Sequence, residues 1–214
     1  MGEADRIERA RQLYEDAVFG GDAGALGRAD RELDGVEADL ALARGRVAHA
    51  RFLAERRGDP EELRLFEQSA ALYGALGDER GEGEALFWIG TFHQVVGGDN
   101  DRALPFFQRS RQLAEQSEDT LTLSYAVRHL GFVELASGRL ESARGLLEQS
   151  IRLREEIGFV PGVAAGKLAL AELVARSGDR AAAVRLLDEA AALAESSGAR
   201  GIASWVEQAR ASSP

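Results

Sequence analysis

The sequence predicts an all-α solenoid of antiparallel helix pairs, and three observations predict it. Segments recur at a spacing of about forty residues, apolar positions repeat at helical rather than strand intervals, and glycine-centred turns separate the segments. The repeat is clearest in the second half. Leu130-Gly131 through Ala143 overlays Leu170-Ala171 through Ala183, so that Ser137-Gly138-Arg139 meets Ser177-Gly178-Asp179 and Leu147 meets Leu187. Ile89-Gly90 precedes Leu130-Gly131 by forty-one residues, whereas Ala103 and Phe107 precede Ala143 and Leu147 by forty. The loop Gly97-Gly98-Asp99-Asn100-Asp101 is the expected place for the extra residue. Phe66-Glu67-Gln68-Ser69 stands forty-one before Phe107-Gln108-Arg109-Ser110.

Each copy reads as two helices. Leu86, Ile89, Gly90 and His93 mark a first helix, and Ala103, Phe107, Ser110 and Leu113 a second. Turn signals fall at Gly20-Gly21-Asp22, Gly58-Asp59-Pro60, Gly77-Asp78, Gly97-Gly98-Asp99, Gly138, Gly158, Gly178-Asp179 and Ser197-Gly198. Glycine supplies the left-handed residue that closes one helix, and the following aspartate caps the next. About eleven helices are expected, near 3–19, 23–34, 36–57, 60–76, 79–96, 101–116, 119–137, 139–157, 160–177, 179–196 and 199–211.

Composition removes several function classes. Acidic residues outnumber basic ones 36 to 26 for a net charge of −10, and arginine and glutamate alternate throughout, which argues against nucleic-acid binding. There is no cysteine, hence no disulfide framework, thiolate nucleophile or cysteine-ligated metal. The start, Met1-Gly2-Glu3-Ala4-Asp5-Arg6, lacks a secretory apolar run, and no stretch approaches transmembrane length. The expectation is a soluble cytoplasmic protein with no membrane partner. Lys167 is the single lysine among many arginines and alanines, read here as codon bias.

Three stretches carry a resemblance. They are Ala85-Leu86-x-x-Ile89-Gly90-x-x-His93-x-x-x-Gly97 with Ala103-x-x-x-Phe107, and Val127-x-x-Leu130-Gly131-x-x-Glu134-x-x-x-Gly138 with Ala143-x-x-x-Leu147. The third is Lys167-x-x-Leu170-Ala171 through Gly178-Asp179, with Ala183-x-x-x-Leu187. The pattern resembles tetratricopeptide repeats, lengthened by about six residues over the usual ~34. It is similar to the forty-residue arrays at the C-terminal end of large bacterial signalling ATPases and transcriptional activators, without their ATPase or DNA-binding domains. The aromatic usual midway along the first helix is replaced by His93, Glu134 and Val174. The resemblance implies a right-handed superhelix filling 1–214 as one domain. Residues 1–58 form divergent repeats, 59–198 better ones, and 199–214 a capping helix and tail.

It also implies that first helices line a concave wall. The wall positions include Phe52 in one copy and Glu84, Phe87 and Thr91 in the next. Tyr125, Arg128 and Phe132 follow, then Leu168 and Glu172. The aromatics suit a half-apolar groove for an amphipathic helix or extended peptide, or are simply core. Tyr125, Arg128 and His129 form the sharpest polar cluster. Arg128 offers a planar fork for a peptide carboxylate or small anion, or is neutralised internally by Glu84 and Glu172.

Metal and catalytic readings find little support. His49, His93 and His129 sit at non-equivalent positions, and none has a second ligand four residues away. The run Gly20-Gly21-Asp22-Ala23-Gly24 follows a helix and lacks the lysine of a phosphate loop. No metal, cofactor or catalytic residue is assigned, though a spatial triad stays open. In the last helix Ile202, Trp205, Val206 and Ala209 share one side, as a cap requires, so Trp205 is read as packing. Ile7, Ala10, Leu13, Tyr14, Ala17 and Val18 form a comparable stripe that could cap the array or pair two copies as a homodimer.

The leading functional expectation is a protein–protein interaction scaffold that binds a peptide or partner helix, in a regulatory or assembly role in a bacterium. The alternatives are a small-molecule sensor or enzyme using the polar cluster, and a self-associating structural module.

Overall fold

The computed structural model describes residues 3–212; residues 1, 2, 213 and 214, at the extremes of the expected 1–214 domain and of the charged start, lie outside the described residues. Ten α-helices and one π-helical turn are present among them, with no strand. The chain forms two compact units, Met1–Ser117 and Glu118–Pro214.

The first unit contains α1 (Glu3–Val18), α2 (Ala25–Glu55), α3 (Glu61–Leu76), α4 (Glu79–Thr91), a π-turn (Phe92–Val96) and α5 (Asn100–Gln116). Its core joins Ala38 and Leu42 of α2, Phe66 and Tyr73 of α3, and Ala85 and Ile89 of α4. The Trp88 indole stacks on Phe66 at 5.6 Å between centroids. The second unit contains α6 (Thr120–Ala136), α7 (Leu140–Glu156), α8 (Val160–Arg176), α9 (Arg180–Ser196) and α10 (Arg200–Ser212). Leu135, Leu147, Leu170, Leu173 and Val174 fill its centre, and Val206 of α10 closes the last layer against Ala171, Leu187 and Ala190. Capping is thus carried by Val206.

Local chemistry sets the pairs. The Asp78, Asp99, Asp119 and Asp179 carboxylates accept from Gly81, Arg102, Thr122 and Ala182 backbone N–H, starting α4, α5, α6 and α9. Gly138, Gly158, Gly178 and Gly198 close helices with positive φ, and Glu118 takes the same left-handed conformation where no glycine is available. Within each pair small residues let the helices approach. A Cβ on Gly90 would lie 2.6 Å from the Phe107 ring, and one on Gly131 would lie 3.1 Å from Leu147. A serine on three of the second helices then ties each to a carbonyl of the first: Ser69 Oγ to Ala38 O, Ser110 Oγ to Gly83 O and Ser150 Oγ to Ser124 O.

Two expectations are corrected. The separate helices near 23–34 and 36–57 are one 31-residue helix, α2. Gly35 does not end it. That glycine leaves room for Arg6 of α1, whose Nη1 would lie 1.9 Å from a Cβ there. The extra residue between the copies at 90 and 131 lies in the helix rather than in the 97–101 loop. The π-turn absorbs it, with Gly97 N–H donating to Phe92 O at 3.0 Å.

Candidate functional site

In the first unit the expected wall residues are largely occupied by contacts within the unit. Phe87 is buried, edge-on to Trp88 at 5.2 Å and tilted against Phe107 at 6.1 Å. Thr91 is buried too, its hydroxyl donating to Phe87 O at 3.0 Å. Glu84 accepts from Arg46 at 3.1 Å. Phe52 is half-buried, with the Arg56 guanidinium 5.7 Å from its centroid. The histidines serve packing: His49 is buried, bonded to Glu62 at 2.8 Å and edge-on to Trp88, and His93 stacks on Phe106.

The second unit sets one of its predicted polar residues, Tyr125, against an arginine outside the expected set. Arg154, on α7, is 1 % exposed. Its Nε donates to Ser124 Oγ (3.2 Å) and its Nη1 to Gly162 O (2.8 Å), while its guanidinium carbon sits 4.9 Å from the Tyr125 ring centroid. Nη2 is buried and meets no hydrogen-bond partner. Gly162 makes the approach possible, since a Cβ there would lie 2.9 Å from Arg154 Cδ and 2.3 Å from Phe159. Phe159 in turn packs edge-on to Tyr125.

Next along α6, Arg128 lies over Phe132, 4.6 Å from the ring centroid, and buried His129 meets the same ring at 5.5 Å. Arg128 is half-buried as a residue, but its Nε is shielded from solvent and unbonded. No ion pair joins Arg128 to either glutamate among the described residues. Glu84 is taken by Arg46 within the first unit, and Glu172 is exposed and forms no ion pair among the described residues. Burial pushes the Arg128 guanidinium well below its ordinary value, to about 9; the charge of Arg154 pushes the same way, and Tyr125 and Glu172 push back. Burial likewise lowers Arg154 to about 10. Both remain cationic at neutral pH, so the site holds two positive charges without a carboxylate in contact.

Beyond Glu172 the surface opens into a cavity of about 870 Å³ between α8, α9 and α10. Leu168, Val184 and Trp205 supply apolar wall, and Glu172, Arg176 and Arg180 the polar edge. Trp205, expected to pack, is 42 % exposed and forms part of this wall. Arg210 is held by Asp188 and Glu207 at 2.6 and 2.8 Å. Among the described residues no cluster of three or more metal-ligating side chains occurs.

No protein-family model and no curated protein matches the chain. Solved structures do. A putative kinesin light chain from Podosopora anserina with nearly identical TPR-like repeats is 17 % identical, with 82 % of this chain and 85 % of that one covered, at a TM-score of 0.52. BtubC (BKLC) from P. vanneervenii is 16 % identical over 92 % of this chain and 89 % of that one, at a TM-score of 0.47. The likeness to the first is one of fold. This chain carries a TPR-like array of helix pairs, and no helix among the described residues is long and apolar enough to cross a membrane.

Proposed function

We propose that this chain is a protein-interaction scaffold whose second unit receives a peptide or partner helix carrying both a carboxylate and apolar side chains. One observation carries the reading: Arg128 is cationic, its Nε is unbonded, and the carboxylate whose field reaches it, Glu172, lines an apolar cavity walled by Leu168 and Trp205. A guanidinium partly withdrawn from water gains more from an incoming carboxylate than a fully exposed one does, because part of its hydration has been given up on folding. The Phe132 ring beneath it fixes the plane of the fork. The preformed helical wall limits the ordering cost of binding to the partner's side. A regulatory or assembly role in the bacterial cytoplasm belongs to the same proposal and rests on composition, with its single lysine among many arginines and alanines.

A displayed library of random peptides, selected on the whole chain, tests it. Enriched sequences should combine Asp, Glu or a free C-terminus with apolar residues, and should lose roughly tenfold or more in affinity on Arg128→Ala or Trp205→Ala. Binders indifferent to both substitutions would overturn the assignment. The cavity also has the size of small-ligand pockets. A metabolite that raises Tm without competing with any selected peptide would favour a sensor instead.

A further inference from the structure

Of twelve large hydrophobic side chains that stand exposed among the described residues, eight lie within the first 47 positions. Four of them, Leu26, Leu33, Leu40 and Val47, recur every seventh residue along α2, each 47–53 % exposed. A seven-residue apolar period on a helix is the seam that another helix covers. Neighbouring α1 adds Ile7, Tyr14 and Val18, each just over half exposed. Arg6 and Arg9 of α1 reach Asp39 and Glu32 of α2, which fixes the line where these helices meet. Helical rotation of roughly 100° per residue then places both stripes about a quarter turn from that line and on the same side. The result is one two-helix apolar face.

The charges beside this face select its occupant. Acidic residues crowd the first half of α2 (Asp30, Glu32, Asp34, Glu37, Asp39) and arginines the second (Arg44, Arg46, Arg51). The edge next to the stripe reads Asp30, Glu37, Arg44, Arg51. Glu37 accepts from Gln68, whereas Asp30, Arg44 and Arg51 form no ion pair among the described residues. The apolar spacing is self-complementary about a point midway between residues 36 and 37, and Asp30 and Arg44 are symmetric about residue 37, an offset of about 1.5 Å along the axis. An antiparallel copy of α2 sets Leu33 against Leu40, Leu26 against Val47, and Asp30 against Arg44, each pair twice. A two-fold axis requires such a patch. Half exposure at these seven large side chains leaves on the order of 600–700 Å² per protomer, against the roughly 800 Å² on one side of a standard interface.

We infer that the chain forms a homodimer in which this face of α1 and α2 packs on its own copy, with the two α2 helices antiparallel. The surface is separate from the groove of the second unit, so either proposal can fail alone. Sedimentation velocity of the whole chain across a dilution series should show a dimer that dissociates on dilution. Leu33→Glu with Leu40→Glu should give a monomer of unchanged helical circular dichroism. Should those glutamates unfold the chain, charge reversal still decides. Asp30→Arg or Arg44→Asp alone should weaken the dimer by roughly fivefold, and the double variant should restore it. Spin labels on single cysteines, clean in this cysteine-free chain, read the orientation. From the 1.5 Å rise, labels at Arg31→Cys should lie near about 16 Å apart along the axis and those at Ala54→Cys about 52 Å. A wild-type chain monomeric at every concentration, a dimer indifferent to both sets of substitutions, or equal label distances would each overturn the inference.

Discussion

The guanidinium of Arg154 lies 4.9 Å from the centre of the Tyr125 ring and touches no carboxylate, although the side chain is 1 % exposed. A buried cation in that position is held by the ring face, one hydroxyl and one carbonyl. Its field crosses to Arg128, which it disfavours as a cation, and the two together bias this part of the second unit toward anions. An interior made for stability alone would fill the Arg154 site with an apolar side chain of similar volume.

Replacing the charge while keeping the volume separates these roles. Arg154→Met retains an unbranched stem that fills the same slot, and should leave unfolding stability within about 1 kcal/mol of wild type, or raise it. Arg154→Ala should cost about 2–3 kcal/mol, because it empties a packed site between α6 and α8. Urea unfolding of the two variants checks the pair. Equal losses would show that the hydrogen bonds to Ser124 and Gly162, rather than packing, hold the helices.

Close approach at the glycines gives a graded expectation. Gly90→Ala drives a methyl into the rigid Phe107 ring and should cost about 1–3 kcal/mol. Gly131→Ala meets the flexible end of Leu147 at 3.1 Å and should cost less than about 1 kcal/mol. Thermal or urea melts measure both. The Gly90→Ala loss should shrink when Phe107→Leu is added, since the clash is with the ring.

These glycines also explain what the sequence discloses. Gly90, Gly131 and Ala171 recur at a near-constant interval because a tight helix crossing repeats, so period and fold are legible together. The first copy is obscured because its equivalent, Gly45 beneath Phe66, stands forty-five residues before Gly90 rather than forty-one. Gly35 reads as a break because a glycine that admits Arg6 looks the same in sequence as one that ends a helix. The π-turn leaves only a count of forty-one, which a loop insertion would equally produce. At the candidate site, Arg128 and Tyr125 are visible as a spacing on one helix. Arg154 is hidden because it arrives from the following helix, and its one signal is Gly162, a helical glycine beside which a long side chain can pass. Charge partners were the least legible feature, since the choice of Glu84 by Arg46 depends on three-dimensional placement.

The turn between α6 and α7 makes a prediction in pH. Glu134, near the end of α6, accepts from Arg139 Nε and Nη2 at 2.6 Å each, clamping the residue that precedes α7. That hydrogen bonding lowers the Glu134 carboxyl from 4.5 to about 2, against a smaller opposing effect of burial, and raises Arg139. A carboxyl depressed by folding binds fewer protons in the native state than in the unfolded chain. Its stabilisation is therefore complete above the unfolded value of 4.5 and is lost as pH falls toward 2. Glu134→Gln should lower Tm slightly at pH 7, because water screens an exposed pair. Below about pH 2 the difference between variant and wild type should vanish, since the wild-type carboxyl is then also neutral. Melting curves at matched ionic strength from pH 7 to pH 2 make the comparison, and a Tm difference that stays constant over that range would show that the clamp acts through shape rather than charge.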